Sequence, residues 1–308
     1  MPEKSITIVG SYNVGLFLKG DRLPSVGETV IGNKFHEGGG GKGSNQAVAA
    51  SRLGAKTRFI GRIGNDKYGQ DALAMYQQLG ISTDAIKVDT GIHSGISVII
   101  IDKDGHNLIS VVPGANFNLS QEDIDAAEKA FADSYIVGFQ LENKLEVIDY
   151  AIRKAHSLGA RTLLDPAPAV KIPDDLYPCI DYIKPNETEA AILTDIQVTD
   201  VKSAERAGKW FIERGVKTAI ITLGAQGSVL IADGKSKHFR PPQVKAIDST
   251  GAGDVFSGAL IAALSQEKKI EDAIVFANHA AALSVTRLGV IESIPELKEV
   301  VAFLDSTG

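Results

Sequence analysis

The sequence predicts an α/β fold: a mostly parallel central sheet with helices on both faces. Two observations carry this. Apolar, β-branched runs of strand length alternate along the chain with stretches of helical period, and that alternation builds βαβ units. The composition, 44% hydrophobic and 23% charged over 308 residues, is that of a globular chain long enough to bury a large core without staples.

The elements follow in order. Residues 5–10 (SITIVG) read as a first buried strand. A helix over 44–53, a strand over 57–63 and a helix over 69–79 come next. Ser120, with Asp123 three residues on, resembles a helix start. Strands at 134–139, 161–165, 181–184 and 218–223 alternate with helices at 144–158 and 202–214. The last third ends in helices around 252–264, 270–286 and 295–304. Strands connected in this way pair in parallel and are covered on both faces.

Two segments break the rhythm. Residues 14–35 alternate short apolar runs with turn signals, and 95–112 form a hairpin pattern around Asp102-Lys103-Asp104-Gly105. Both read as antiparallel strands, either a lid outside the main sheet or edge strands of that sheet. The expected organisation is one domain over 1–308, with lid strands inserted at about 12–38 and 95–112.

Charge and cysteine exclude several classes. The net charge is −6 and the lysines are scattered, which leaves no nucleic-acid footprint. The one cysteine, Cys179, forms no internal disulfide, so a secreted disulfide scaffold is excluded and a reducing compartment fits. Residues 1–4 lead straight into the first strand, and no stretch approaches bilayer length. The expected location is the cytoplasm, with no membrane partner. The six histidines show no metal-ligand spacing.

Four segments carry chemistry. Gly38-Gly39-Gly40-Gly41-Lys42-Gly43-Ser44-Asn45-Gln46 lies between a strand-like segment and a helix. Its glycines let backbone approach a ligand, and Lys42 and Asn45 add donors; the plain alternative is a flexible turn. A formal G-x-G-x-x-G match lacks the acidic residue about 20 positions on that a dinucleotide site uses, so an oxidoreductase has thin support. Asp248-Ser249-Thr250-Gly251-Ala252-Gly253-Asp254 runs into an apolar helix. Small residues at a helix start leave N–H groups converging on one spot as an anion hole, with Asp254 placed as a general base. A helix cap needs only one such residue, and two aspartates bracketing Gly-Ala-Gly exceed that. Lys184-Pro185-Asn186-Glu187-Thr188-Glu189 puts Asn186 and Glu189 where a strand ends and a helix begins. That is the ligand edge of a parallel sheet, and equally the pattern of a capping box. Thr222-Leu223-Gly224-Ala225-Gln226-Gly227 is a strand ending in a glycine turn, which leads into a hairpin and is compatible with a nucleotide lying on it.

Taken in order, these segments resemble the ribokinase family of sugar kinases, the PfkB-type carbohydrate kinases, over nearly the whole chain. Residues 40–47 (GGKGSNQA) resemble the N-terminal sugar-site signature and 248–256 the C-terminal signature. Residues 185–189 and 222–227 resemble the nucleotide-site segments. The resemblance implies a ribokinase-like three-layer fold with a small β-sheet lid. It also implies ATP-dependent phosphorylation of a primary hydroxyl on a pentose or similar small sugar, giving a sugar 5-phosphate and ADP. Asn13, Gly41, Lys42, Asn45 and Glu142 fall where the family holds the sugar. Asp254 falls on the catalytic base, and Gly251, Ala252 and Gly253 on the anion hole. Asn186, Thr222, Gly224, Gly227 and Asn278 fall on ATP positions, and Glu189 on one linked to Mg²⁺. Asp248, Thr250, Ser284, Arg287, Gly289 and Ser293 match a monovalent-cation loop, so K⁺ is the implied activator. The lid strands would also make a homodimer contact.

One position departs from the pattern. Ribose-phosphorylating members carry an acidic residue two places after the asparagine matched to Asn13; here that place is Gly15. Glycine leaves the room of a missing side chain, for the substrate to fill or for another residue to supply the acceptor. Kinases for a nucleoside, a keto-deoxy sugar acid, a sugar phosphate or another polyol therefore stand as alternatives. A non-catalytic sugar or nucleotide sensor is the rival from another class.

Overall fold

The structure, a computed structural model, describes residues 4–307. The first third comprises β1 (Ser5–Val9), β2 (Asn13–Gly20), β3 (Gly32–Gly40), α1 (Lys42–Arg52), β4 (Lys56–Gly64), α2 (Lys67–Gln78), β5 (Ser82–Asp89), β6 (Gly95–Ile101) and β7 (Asn107–Val112). Then come α3 (Gln121–Ala126), α4 (Glu128–Ala132), β8 (Ser134–Phe139), α5 (Leu145–Ser157), β9 (Arg161–Leu164), β10 (Tyr182–Ile183), α6 (Glu187–Thr194) and α7 (Val201–Glu213). The chain closes with β11 (Thr218–Thr222), β12 (Ser228–Ala232), β13 (Lys235–Phe239), α8 (Ala252–Ser265), α9 (Ile270–Ser284) and α10 (Leu297–Thr307).

Nine strands form the main sheet, in the order β13-β12-β11-β10-β9-β8-β1-β4-β5. Every pair from β5 to β11 is parallel, and β12 and β13 add an antiparallel edge. The alternation of side chains along each strand sorts the core into two layers. Ile6, Ile8, Ile136 and Ile220 pack with Val48, Leu260 and Ile274 of α1, α8 and α9. Val9, Val137, Phe139 and Ile221 pack on the other face with Ile148 and Phe211 of α5 and α7. Each such side chain contributes about 1.5–3 kcal/mol on burial. The result is the expected three-layer α/β/α architecture.

The two irregular segments form a sheet of their own, in the order β3-β2-β6-β7. The structure thus separates the two readings left open for them: they stand outside the main sheet. β3 runs on to Gly40, so the first three glycines of the run are strand rather than turn. Two edge strands carry no strand signal in the sequence. β5 (STDAIKVD) and β13 (KSKHF) are half-exposed and rich in polar residues, so neither shows an apolar run.

The topology fixes where a site can form. From β1 the chain passes to β4 and β5 on one side, then returns to β8 on the other side of β1. At that reversal the segments leaving β1 and β8 diverge and open a crevice at the carboxyl ends of the strands. Among the described residues no helix is long and apolar enough to cross a membrane.

Candidate active site

The crevice is knotted together by one carboxylate. Glu142, just beyond β8, accepts hydrogen bonds at Oε2 from Ser11 Oγ, from Asn13 Nδ2 at 3.3 Å and from the Lys42 backbone N–H at 3.0 Å. The helix α1 starts from Gly41, which offers no side-chain cap, so Glu142 caps α1 from across the fold. The anion at a helix N-terminus is favoured by the free N–H groups and the helix dipole.

Asn116 is a residue that the sequence reading missed. Its Nδ2 donates to Asn13 Oδ1 and to the Tyr12 carbonyl, both at 2.9 Å, and its Oδ1 accepts from the Tyr12 N–H at 3.0 Å. Asn13 is therefore gripped at both ends of its amide. The only signal was the Gly-Ala-Asn sequence at 114–116, directly after the hairpin.

Gly15 follows Asn13 on the same face of β2, and its neighbourhood corrects one expectation. The room beside it is not open. A Cβ built there would lie 2.6 Å from Phe17 Cε2 and 3.0 Å from Phe17 Cζ. The Phe17 ring therefore lies against Gly15, and it packs against His36 of β3 with ring centroids 5.9 Å apart.

The second half of the crevice comes from α1 and α8. A Cβ on Gly258 would sit 2.6 Å from both Ala49 Cβ and the Gln46 carbonyl, so only glycine lets the two helices approach this closely. That approach brings Asn45 Nδ2 to 2.8 Å from Asp254 Oδ2. Asp254 is buried. Burial pushes its carboxyl above the ordinary aspartate range and Asp165 adds repulsion, while Lys42 and the bond from Asn45 pull it back down. Lys42 is held above its usual range, chiefly by the Asp254 charge.

The start of α8 has a glycine cap. Gly251 has φ +77°, which favours glycine, and supplies no side-chain cap. The capping alternative for the aspartates does not apply: Asp248 instead accepts from Thr250 N at 3.0 Å and Gly289 N at 3.3 Å. One detail of the expected anion hole changes. The Ala252 N–H already donates to the Ser249 carbonyl at 3.3 Å, so it is engaged within the turn. The N–H groups of Gly251 and Gly253 have no acceptor among the described residues.

The nucleotide-like segments border a cavity of about 550 Å³, which reaches from Thr222, Gly224 and Gly227 to Lys42 and Asp254. Asn186 and Glu189 line it, and they also form a full capping box: Asn186 Oδ1 accepts from Glu189 N at 2.8 Å, and Glu189 Oε2 from Asn186 N at 2.9 Å. Burial, then repulsion from Asp165, raises the Glu189 carboxyl. Asn278 also lines the cavity, with Nδ2 3.3 Å from Ser228 Oγ. Asn13, Gly15 and Glu142 lie beyond this cavity, on the side of the small sheet.

The proposed cation loop comes together in part. Asp248 joins Thr250 and Gly289 through the bonds above, and the Ser284 carbonyl accepts from Arg287 N at 3.1 Å. The Ser293 hydroxyl donates to the Val290 carbonyl at 2.8 Å. The Arg287 guanidinium is turned to Glu299 of α10, 2.6 Å away.

Known proteins show the same arrangement of chain. The model of the pfkB family carbohydrate kinases matches residues 3–297. A ribokinase from Haemophilus influenzae is 40% identical over 303 residues, covering 98% of this chain and 99% of its own. The crystal structure of a ribokinase from Thermotoga maritima superposes with a TM-score of 0.91 at 38% identity, covering 98% and 99% of the two chains. That of an Arabidopsis thaliana ribokinase complexed with ribose and ATP gives 0.90 at 30% identity, covering 98% of each. With a matched family model over nearly its full length and relatives this similar, the chain belongs to the pfkB family of carbohydrate kinases.

Proposed function

We propose that this chain is an ATP-dependent kinase for the primary hydroxyl of ribose or a close pentose. The observation that carries the reading is the Asp254 carboxylate, fixed by Asn45 at the mouth of an uncapped helix start that faces a nucleotide-sized cavity. Relatives of 35–40% identity are ribokinases, and one similar structure holds ribose and ATP. A sensor without catalysis would not need a buried carboxylate beside free amides.

The sugar lies between Asn13, Gly41, Lys42, Asn45 and Glu142, with its primary hydroxyl at Asp254. ATP lies along Asn186, Thr222, Gly224, Gly227 and Asn278. Asp254 takes the hydroxyl proton. The sugar oxygen bonds to the γ-phosphorus in line as the bond to the β,γ-bridging oxygen breaks, and ADP leaves. The free N–H groups of Gly251 and Gly253 meet the charge on the transferring group. Mg²⁺ fits the same cavity, whose four lining carboxylates outnumber Lys42 and Lys184, and whose Glu189 is raised by burial and by repulsion from Asp165. Glu189 would hold it, and it would neutralise the phosphate charge. K⁺ at the loop of Asp248, Thr250, Ser284, Arg287, Gly289 and Ser293 would order the adjoining amides. The small sheet acts as a lid, whose closure excludes water and limits idle ATP hydrolysis. A cytoplasmic setting supplies both substrates.

Gly15 sets the test. A carboxylate there would accept sugar hydroxyls, each such bond being worth about 1.5–3 kcal/mol. Gly15→Asp needs Phe17 to yield, so it is combined with Phe17→Ala. A panel of pentoses, polyols and nucleosides is assayed with wild type and the double variant. Ribose or a near pentose is the best substrate of wild type, and the double variant gains on ribose at least about tenfold in kcat/KM. No gain assigns the hydroxyl acceptor to Glu142 and Asn13 alone. A nucleoside or sugar acid as best substrate refutes the pentose assignment.

A further inference from the structure

We infer that Lys184 is a second catalytic cation, whose ammonium group donates to the phosphoryl group in transfer while Asp165 holds it in place. This rests on the kinase reading above and names a residue that reading does not use. Lys184 follows β10 at the carboxyl edge of the sheet and is 3% exposed; Asp165 follows β9 and is 2% exposed. Lys184 Nζ lies 3.0 Å from Asp165 Oδ2 and 3.3 Å from the Gly253 carbonyl, in the first turn of α8 next to Asp254. An ammonium has three N–H donors. Two are accounted for, and the side chain lines the cavity that reaches Asp254.

The pair is firmly held. Asp165 Oδ2 also accepts from Gln46 Nε2 at 3.0 Å and Ser257 Oγ at 2.9 Å, and Gln46 Oε1 in turn accepts from Gln140 Nε2 at 2.7 Å. Three parts of the chain, α1, α8 and the end of β10, thus fix one carboxylate oxygen, and Gln140 holds Gln46 in turn. Such a buried ion pair costs desolvation that a neutral pair of like shape avoids. Charge is therefore a weak source of stability for this contact.

The balance of charge supplies the reason for it. The charged residues lining the cavity are Asp165, Glu187, Glu189 and Asp254 against Lys42 and Lys184, with no arginine among them. A triphosphate entering this acidic cavity needs every cation present. Lys42 stands in the field of Asp254, on the sugar side. Lys184, bonded to Gly253, stands behind the free amides at which the γ-phosphoryl would sit.

The test uses Lys184→Met alone and together with Asp165→Asn. The single variant strands a buried carboxylate and is expected to lose stability; the double variant is neutral and close in shape, and it is expected to melt near wild type. In the double variant kcat falls roughly 10²-fold or more while KM for the sugar holds, as when one preorganised donor to a transition state is lost. Calorimetry with ADP and with a non-hydrolysable ATP analogue gives the second readout. Affinity for the analogue falls at least about tenfold and that for ADP hardly changes, because a charged hydrogen bond to the terminal phosphate is lost. A double variant whose kcat stays within threefold of wild type overturns the assignment, as does an equal loss for both nucleotides. A wild type inert towards every sugar sinks the kinase reading instead, and the two nucleotide affinities still decide the role of Lys184.

Discussion

At the scale of single residues, Asp254 carries the centre of the proposed chemistry. Burial and Asp165 raise its carboxyl, and Lys42 and Asn45 restrain the rise. As the proposed base it acts when deprotonated, so the sign follows: kcat/KM is expected to fall as pH drops through the raised value. The acidic limb therefore begins at higher pH than for an ordinary aspartate near about 3.9. Asp254→Asn removes the base, with an expected loss of roughly 10²–10⁴ in kcat, while ATP binding persists in a calorimetric titration. A pH–rate profile that stays flat down to ordinary carboxylate values would contradict this, as would near-wild-type turnover in the variant. The place of Asp254, in the first turn of a helix beside the cavity, was legible because its signature is local, a carboxylate at a glycine-rich helix start. Asn116 and Lys184 were not, because their meaning lies in partners far along the chain: Tyr12 and Asn13 for one, Asp165 and Gly253 for the other. A single sequence carries no mark of contacts made across such distances.

At the scale of elements, the start of α8 depends on its neighbours. The turn of Asp248 and Thr250 leads directly into the free amides of Gly251 and Gly253, and Asp248 also binds Gly289 in the loop after α9. An ion held by that loop would stiffen the turn and so fix the amides. K⁺ is therefore expected to raise kcat well above the level in Na⁺ or a bulky organic cation at equal ionic strength. Equal rates in all three salts would remove the cation from the account. The longer helices were legible, because their apolar period and caps are written locally, whereas the short α4 was not; the Ser120 and Asp123 capping box stands as the sequence suggests. The glycine run was not legible in its conformation. Nothing local says that residues 38–40 finish a strand, since that follows from the pairing of Gly38 with Gly15 and of Gly40 with Asn13.

At the scale of the whole molecule, the small sheet has two faces with different surroundings. The face of Asn13 and Gly15 meets the crevice. Strand register places Phe35, Leu18, Ile100 and Leu108 side by side in one row across all four strands, on the opposite face. Phe35 is 63% exposed and Leu108 50%. Such a row left in water marks an interface. The same surface on a second copy is its simplest complement, because a twofold axis matches a patch to itself. We therefore propose a homodimer formed through the small sheets, each lid stiffened by its partner. Leu108→Asp puts a charge at the β7 end of that row, where burial would leave it unpaired. Wild type is expected to run as a dimer in light scattering at about micromolar concentration, where association worth roughly 8 kcal/mol or more keeps the copies together. Leu108→Asp is expected to run as a monomer with unchanged melting of the main body. Its KM for the sugar rises more than its KM for ATP, because the lid and not the nucleotide cavity has lost support. A wild type that is monomeric under these conditions removes the partner. A monomeric variant with both constants unchanged leaves the dimer standing and separates it from closure of the lid.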